Sequence, residues 1–187
     1  MGKLRIIAGR WKRRTLRFPE GAGVRPTPDR VRETLFNWLA PRLPGARCLD
    51  LFAGSGALGF EAASRGASEV VLVEQSARLA RWLRETASAL GAEAVRVVQA
   101  DALAWLQGFP AERYDIVFID PPFARGELLE GACRRLHEGG WLAPGALVYL
   151  ECAAPESALA LPEGWRVPRS GKAGGVRYYL AAPSACG

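Results

Sequence analysis

From residue 46 onward, short apolar runs alternate with segments of helical periodicity, and this alternation limits the folds open to the chain. The apolar runs are residues 46–50, 69–74, 95–99, 114–120 and 146–151. The helical segments between them are residues 57–66, 76–90, 101–107 and 126–138. Nearly continuous apolar strands separated by helices are typical of a parallel sheet that is covered on both faces. We therefore predict an α/β fold.

The C-terminal end departs from this alternation. Two β-rich runs, 165–168 and 176–181, are joined by residues 169–175, which leave no room for a helix, so we predict an antiparallel hairpin. Five parallel strands closed by a hairpin give a seven-stranded, mostly parallel sheet. This Rossmann-like architecture is known for S-adenosylmethionine methyltransferases and differs from the six-stranded parallel dinucleotide fold.

The first 42 residues carry all the excess positive charge. They contain eleven Lys and Arg against three acids, a net charge of +8, whereas the remainder contains fourteen against sixteen, a net charge of −2. Short strands are expected within residues 3–20, and Pro26 and Pro28 precede a helix over about 29–39. We predict a basic N-terminal extension, residues 1–42, and a catalytic domain, residues 43–187.

Several classes of protein are disfavoured by what the sequence lacks. No run approaches the ~18 apolar residues that span a membrane, and no signal-peptide pattern follows Met1, so we expect a cytoplasmic protein. Four scattered cysteines and a single histidine argue against a zinc site, and no cysteine lies in a motif that would make it a nucleophile. We expect no metal and a monomer.

A Gly-rich turn follows the first strand of the sheet, and acids lie at three successive strand ends. The pattern Gly54-x-Gly56-x-x-Gly59 alone is shared with dinucleotide enzymes. Asp50 discriminates, because its carboxylate would repel a pyrophosphate and attract the cationic amino-acid end of S-adenosylmethionine. Glu74, eighteen residues after Gly56, is placed to accept hydrogen bonds from both ribose hydroxyls. Asp101 could accept a hydrogen bond from the adenine amino group. The predicted cofactor residues are Asp50, Phe52, Ala53, Gly54, Ser55, Gly56, Glu74, Gln75, Asp101 and Ala102.

Each of these features also has a purely structural interpretation. The glycines could form only a tight turn, Glu74 could be a solvated loop acid, and Asp101 could be a helix N-cap. Their position at successive strand tips, on the edge where such sheets bind ligands, favours the cofactor.

The most specific motif is Asp120-Pro121-Pro122-Phe123, directly after the fourth apolar run. An exocyclic amine on a base is a poor nucleophile, because its lone pair is delocalised into the ring. A carboxylate at Asp120 and the carbonyl of Pro121 could accept its two N–H bonds and favour localisation of that lone pair. The prolines would fix the geometry and Phe123 would stack on the base. The alternative is a strand ended by Pro-Pro with an N-capping Asp, and whether Asp120 or water takes the proton stays open.

Four segments carry a resemblance to a known family. They are RIIAGRW at 5–11, RPTPDRVRETLFNWL at 25–39, LDLFAGSGALG at 49–59 and DPPF at 120–123. In these segments the chain resembles the bacterial 16S rRNA guanine-N2 methyltransferase family, often called the RsmD family. The resemblance implies methylation of the N2 amino group of one guanine in 16S rRNA, on an assembled or partly assembled 30S subunit. It also implies that residues 120–123 hold the base.

The basic N-terminus suits this RNA substrate, because Arg and Lys neutralise phosphates and aromatic rings stack on unpaired bases. Four residues of the helix segment, Arg25, Thr27, Arg30 and Arg32, could instead cover the cofactor. The predicted RNA-binding residues are Arg5, Arg10, Trp11, Lys12, Arg13, Arg14, Arg25, Thr27, Arg30, Arg32 and Arg125.

Three other functions compete with this one. The first is another amino methyltransferase, acting on adenine in nucleic acid or on glutamine in a protein. The second is an RNA-binding ribosome assembly factor without catalysis, which the intact Asp120 motif disfavours. The third is a dinucleotide oxidoreductase, which Asp50 and the terminal hairpin disfavour.

Overall fold

A computed structural model describes residues 1–20, 27–122, 126–153 and 159–184. Its strands are β1 (Gly2–Arg5), β2 (Thr15–Phe18), β3 (Arg47–Asp50), β4 (Glu69–Glu74), β5 (Val95–Gln99), β6 (Tyr114–Ile119), β7 (Leu142–Ala153), β8 (Arg166–Ala173) and β9 (Val176–Ala182). Its helices are α1 (Asp29–Leu39), α2 (Ala57–Ser64), α3 (Ala77–Leu90), α4 (Ala102–Trp105) and α5 (Gly126–Glu138).

The predicted α/β fold is confirmed. One seven-stranded sheet has the strand order β5-β4-β3-β6-β7-β9-β8, and its first five strands are parallel. Strands β8 and β9 close it as an antiparallel hairpin against β7. The chain adds β4 and β5 on one side of β3 and then returns to add β6 on the other side. The carboxyl ends of β3 and β6 therefore meet at the switch point, where open α/β sheets bind ligands.

The last three strands are longer than the sequence indicated. Strand β7 begins at Leu142, four residues before the predicted start, because a register shift between β6 and β7 lets the chain pair again before Gly145. Strand β8 extends through the predicted linker to Ala173 and leaves a tight turn at Gly174 and Gly175. Gly174 has φ +58°, which suits glycine in such a turn.

Alternate residues of the buried strands face opposite sides of the sheet. On β6, Phe118 belongs to an apolar cluster covered by α1, α2 and α3, here called the first cluster. Its neighbour Ile119 belongs to a second cluster, covered by α4 and α5. Because successive side chains of a strand point to opposite faces, the face of a polar residue at the end of each strand can be predicted.

The N-terminal segment packs into the first cluster. Strands β1 and β2 form an antiparallel pair, and Leu4, Ile6 and Phe18 are buried in the cluster together with Leu35 of α1 and Phe60 of α2. The predicted extension therefore shares its hydrophobic core with the sheet, so the two segments are expected to unfold together. In the described ranges, no helix is both long enough and apolar enough to cross a membrane.

Candidate active site

The Gly-rich turn connects β3 to α2 at the carboxyl edge of the sheet. Gly54 and Gly56 have φ +53° and +73°, which other L residues rarely adopt. A Cβ at Gly56 would lie 2.6 Å from the Phe60 ring, so this position also lacks room for a side chain. Residues 53–56 are thus held as a tight backbone turn, as the sequence predicted.

Asp50, at the end of β3, is buried beside this turn. Its Oδ2 accepts a hydrogen bond of 3.2 Å from the Gly59 backbone N–H, but its buried Oδ1 has no partner among the described residues. Burial raises the pKa of the carboxyl to about 7, although the Gly59 N–H favours the charged form. An unpartnered buried carboxylate oxygen is costly, and a ligand ammonium group would satisfy it.

Glu74, at the end of β4, holds the turn from the other side. Its Oε2 accepts the Gly54 N–H at 2.8 Å and its Oε1 accepts the Ser76 N–H at 2.7 Å. A carboxylate offers about four lone-pair positions, so hydroxyl donors can still bind. Glu74 is only partly buried, and the adjacent Gln75 is exposed.

Asp101 follows β5 and caps α4. Its Oδ1 accepts the Ala104 N–H at 2.8 Å, which is the N-cap that the sequence offered as the structural alternative. The side chain is exposed, whereas Ala102 is buried. A role for Asp101 toward adenine stays a prediction, compatible with the cap because the cap uses one carboxylate oxygen.

Asp120 lies at the end of β6, directly beside β3, so it projects at the same edge as Asp50. Pro121 is buried and Pro122 exposed, whereas Phe123 and Arg125 lie outside the described residues. The Thr27 hydroxyl donates a hydrogen bond of 3.2 Å to Asp120 Oδ2. Burial, then the charge of Glu151, raises the pKa of Asp120 well above its ordinary value, with a smaller effect from Asp50.

The sequence interpretation missed two residues of this site, Glu151 and Tyr149 on β7. The Thr27 hydroxyl also lies 3.4 Å from Glu151 Oε2, and the Tyr149 hydroxyl donates to that oxygen at 2.8 Å. Burial raises the pKa of Glu151 and of Tyr149. Glu151 was detectable, because it ends an apolar run as Asp50 and Glu74 do.

Three predicted RNA-binding residues are buried in this structure, and a contact of theirs with RNA stays a prediction. Thr27 faces Asp120 instead of the surface. Trp11 packs in the first cluster, and its backbone N–H bonds Ser64 Oγ at 3.0 Å. Arg32 is 1% exposed and pairs with Glu61, which is fully buried, while it also donates to the Arg5 carbonyl. The hydroxyl of Thr27, the ring of Trp11 and the charge of Arg32 all contact groups inside the fold.

The remaining described RNA-binding candidates are exposed, and four of them lie on one turn. Arg10, Lys12, Arg13 and Arg14 form what we call the basic turn, residues 10–14, and Arg5 and Arg30 lie outside it. Arg25, the last predicted member, lies outside the described residues.

Helix α2 holds the chain that leads into the basic turn. The Glu61 carboxylate accepts the backbone N–H groups of Ile7 and Ala8 at 2.9 and 3.0 Å. The Ser64 carbonyl accepts the Arg10 N–H at 2.7 Å. Gly9 has φ +82°, and a Cβ there would lie 1.9 Å from the same carbonyl oxygen. The turn is therefore presented on a fixed backbone, which lowers the entropy lost when it binds a partner.

Two of the described cysteines, Cys48 and Cys133, are unsuited to nucleophilic chemistry. Cys48 and Cys133 are buried, and burial raises the pKa of the Cys133 thiol to about 12 and that of Cys48 further. Such thiols are inert as nucleophiles. Across residues 1–20, 27–122, 126–153 and 159–184, no group of three His, Cys, Asp or Glu side chains could hold a metal ion.

Comparison with known proteins gives the family of the chain. Residues 4–182 match the family described as "Conserved hypothetical protein 95". The chain is 46% identical to ribosomal RNA small subunit methyltransferase D of Escherichia coli, over 96% of this chain and 89% of that protein. It is 42% identical to the protein of that name from Haemophilus influenzae, over 96% and 93%. The solved structure of Escherichia coli yhhF is 42% identical, with a TM-score of 0.90 over 99% of this chain and 100% of that one.

The match covers nearly the whole chain and includes every element that carries the candidate site, from Thr27 before α1 to Glu151 on β7. The protein belongs to the conserved hypothetical protein 95 family, and it is similar over nearly its whole length to ribosomal RNA small subunit methyltransferases D.

Proposed function

We propose that this protein transfers a methyl group from S-adenosylmethionine to the N2 amino group of a guanine in the RNA of the small ribosomal subunit. The observation that carries the proposal is the placement of Asp120, partly buried and followed by two prolines, beside Asp50 at the switch point of the sheet. The family relationship supplies the substrate class.

The residues around the Gly-rich turn fit S-adenosylmethionine. The buried Asp50 Oδ1 needs a donor, and the ammonium of the cofactor is one. Glu74 has lone pairs for the ribose hydroxyls, and Asp101 stands at the next strand end for the adenine amine. When bound, the cofactor supplies an electrophilic methyl group on a sulfonium. The chain positions the acceptor and takes up charge.

Asp120 and Pro121 would hold the attacking amine. The carboxylate and the Pro121 carbonyl would each accept a hydrogen bond from one N–H of the amine. This arrangement would direct the nitrogen lone pair out of the ring plane. Pro121 and Pro122 fix that carbonyl, because proline restricts its own φ. Phe123 is predicted to stack on the guanine. After transfer, one proton leaves the nitrogen, and Asp120 is the nearest base.

The basic turn is proposed to bind RNA phosphates, together with Arg5, Arg30 and the predicted Arg25 and Arg125. Support comes from the exposure of the four cations of the turn and from their fixed backbone. In this proposal, residues 1–42 supply RNA recognition and residues 43–187 supply catalysis. The expected substrate is an assembled or partly assembled 30S subunit. The protein is expected to act in the cytoplasm as a monomer.

The decisive experiment incubates the protein with methyl-labelled S-adenosylmethionine and 30S subunits that lack the modification. The RNA is then digested to nucleosides. We expect label in N2-methylguanosine, and at least a hundredfold lower rate for Asp120→Ala with unchanged cofactor binding. Asp115→Ala, at the other end of β6, is the control for substitution of an aspartate on this strand. Label in N6-methyladenosine, or in protein alone, would contradict the proposed substrate.

A further inference from the structure

Glu151 lies beside Asp120 because β6 and β7 are paired in register. Ile119 pairs with Leu150, and both belong to the second cluster. The residues that follow, Asp120 and Glu151, therefore turn toward the opposite face, where Thr27 lies. The Thr27 hydroxyl approaches one oxygen of each carboxylate, at 3.2 Å and 3.4 Å.

The hydrogen atoms available in this group do not suffice when both carboxylates are ionised. Thr27 and Tyr149 bring one hydroxyl hydrogen each, whereas three oxygen–oxygen contacts must be bridged. One more proton, on Asp120 or on Glu151, makes all three contacts hydrogen bonds. With that proton on Asp120, Thr27 donates to Glu151. With the proton on Glu151, Thr27 donates to Asp120.

We infer that Glu151 is a positioning residue that exchanges one proton with Asp120 through the Thr27 hydroxyl. The inference rests on the proposed function. Before substrate binds, the proton lies on Asp120, because the Tyr149 hydroxyl stabilises an ionised Glu151. The amine of guanine presents N–H donors to Asp120 and draws the proton to Glu151. Asp120 is then the ionised acceptor.

The protons balance through one cycle. The pair enters with one proton, held by Glu151 while Asp120 accepts the amine. When the nitrogen has gained its methyl group, it releases one proton to Asp120, so that the pair holds two. One of them leaves to solvent, and the pair returns to its starting charge. The exchange through Thr27 moves no net proton out of the pair.

The electrostatic surroundings support a shared proton. Facing the pair are Asp50 from β3, Tyr149 from β7 and Tyr178 from β9, whereas the segment before α1 contributes the uncharged Thr27. The described residues that perturb these groups include no cation. Burial raises the pKa of both carboxyls, Glu151 raises that of Asp120 further, and the Thr27 hydroxyl lowers both. Two ionised carboxylates in this pocket are unfavourable.

The first test is the pH dependence of kcat/KM for 30S subunits with Glu151→Gln. Saturating S-adenosylmethionine keeps the titration of Asp50 out of the profile. The pair enters the cycle with one proton, so the acidic limb of the wild type reports the uptake of a second proton by either carboxylate. In Glu151→Gln the limb reports the protonation of Asp120 alone beside an uncharged neighbour, so it should move to higher pH, by about one unit. Glu93→Gln, exposed before β5, is the matched control and should leave the limb in place.

The second test removes the bridge without changing charge. Thr27→Val keeps the shape of the side chain but cannot carry a proton, so kcat should fall about tenfold. The acidic limb should move to higher pH, as in Glu151→Gln, because a hydroxyl that stabilised the ionised carboxylates is lost. Thr27→Ser restores the hydroxyl and should return both kcat and the limb toward the wild-type values.

The two variants separate this inference from a structural role and from the proposed function. An unmoved acidic limb in Glu151→Gln, or a shift of that limb to lower pH, as removal of a permanently ionised Glu151 would give, would overturn the proton exchange. If circular dichroism shows that one variant does not fold, the pH profile of the other variant tests the inference. Wild-type protein that forms no N2-methylguanosine would overturn the proposed function instead, before either variant is measured.

Discussion

Asp50 should make cofactor affinity depend on pH near neutrality. Burial raises the pKa of its carboxyl to about 7 in the free protein, and only the ionised form attracts the ammonium group of the cofactor. At pH 6 about a tenth of the molecules then carry the charge. The apparent Kd at that pH is therefore about tenfold above its plateau, a difference of about 1.4 kcal/mol.

The same group should destabilise the free protein as pH rises. Its pKa in the folded state, about 7, lies above the ordinary 3.8, so the folded state binds more protons between those values. The contribution of this group to the free energy of unfolding is therefore greatest below pH 4 and is lost as the pH rises to 7. At about 1.4 kcal/mol per pH unit, the loss is about 4 kcal/mol.

Asp50→Asn separates the two effects. We expect the variant to be more stable than the wild type above pH 7, measured by urea unfolding, yet to bind S-adenosylhomocysteine weakly and without pH dependence. Calorimetric titrations between pH 6 and 7.5 avoid the titration of the ligand's own amino group near pH 8. Glu93→Gln is the control. A wild-type Kd that is equal at pH 6 and 7.5, or an Asp50→Asn protein less stable at pH 8, would refute this account.

Two further predictions concern the N-terminal segment. Replacing Arg10 and Arg13 together with Gln should flatten the slope of log affinity for 30S RNA against log salt by about 1.4, at about 0.7 per lost phosphate contact. Arg134→Gln on α5 is the control, and an unchanged slope in the double variant would argue against phosphate contacts there. Replacing Arg32 with Met removes one of the two cations that pair with the buried Glu61, the other being Arg65, and should lower the free energy of unfolding by about 3 kcal/mol. Arg30→Met, on the exposed side of α1, should cost under about 1 kcal/mol, and equal losses in both variants would contradict the buried pair.

The sequence was sufficient for the strand order of the parallel part of the sheet and for three of the acids at its edge. Apolar runs fix which segments are strands, and parallel strands joined by helices bring their carboxyl ends together, so Asp50, Glu74 and Asp120 are placed by topology alone. The extent of β8 was underestimated, since a bulged edge strand that contains Pro168 and Gly171 has little apolar periodicity to detect.

Side-chain contacts between distant segments could not be predicted in this way. Thr27 and Glu151 are 124 residues apart, and their contact depends on how the segment before α1 packs across the sheet. The burial of Arg32 depends in the same way on a distant residue, Glu61. Glu61 is itself buried because α2 packs against the N-terminal chain, and this packing cannot be predicted from the sequence. A charged residue in a sequence is assigned to the surface by default, and only a buried partner overrides that assignment.

The first 42 residues thus contribute to both halves of the proposed reaction. Their apolar side chains complete the first cluster, their exposed cations form the basic turn, and Thr27 connects the two carboxylates of the pocket. Helix α2 links these parts, because its first residues follow the Gly-rich turn while Glu61 and Ser64 hold the chain before the basic turn. The Gly-rich turn and the chain before the basic turn are therefore both attached to helix α2. Deleting residues 1–20 would expose the core, so point substitutions on the exposed side of the turn are the change that isolates RNA binding.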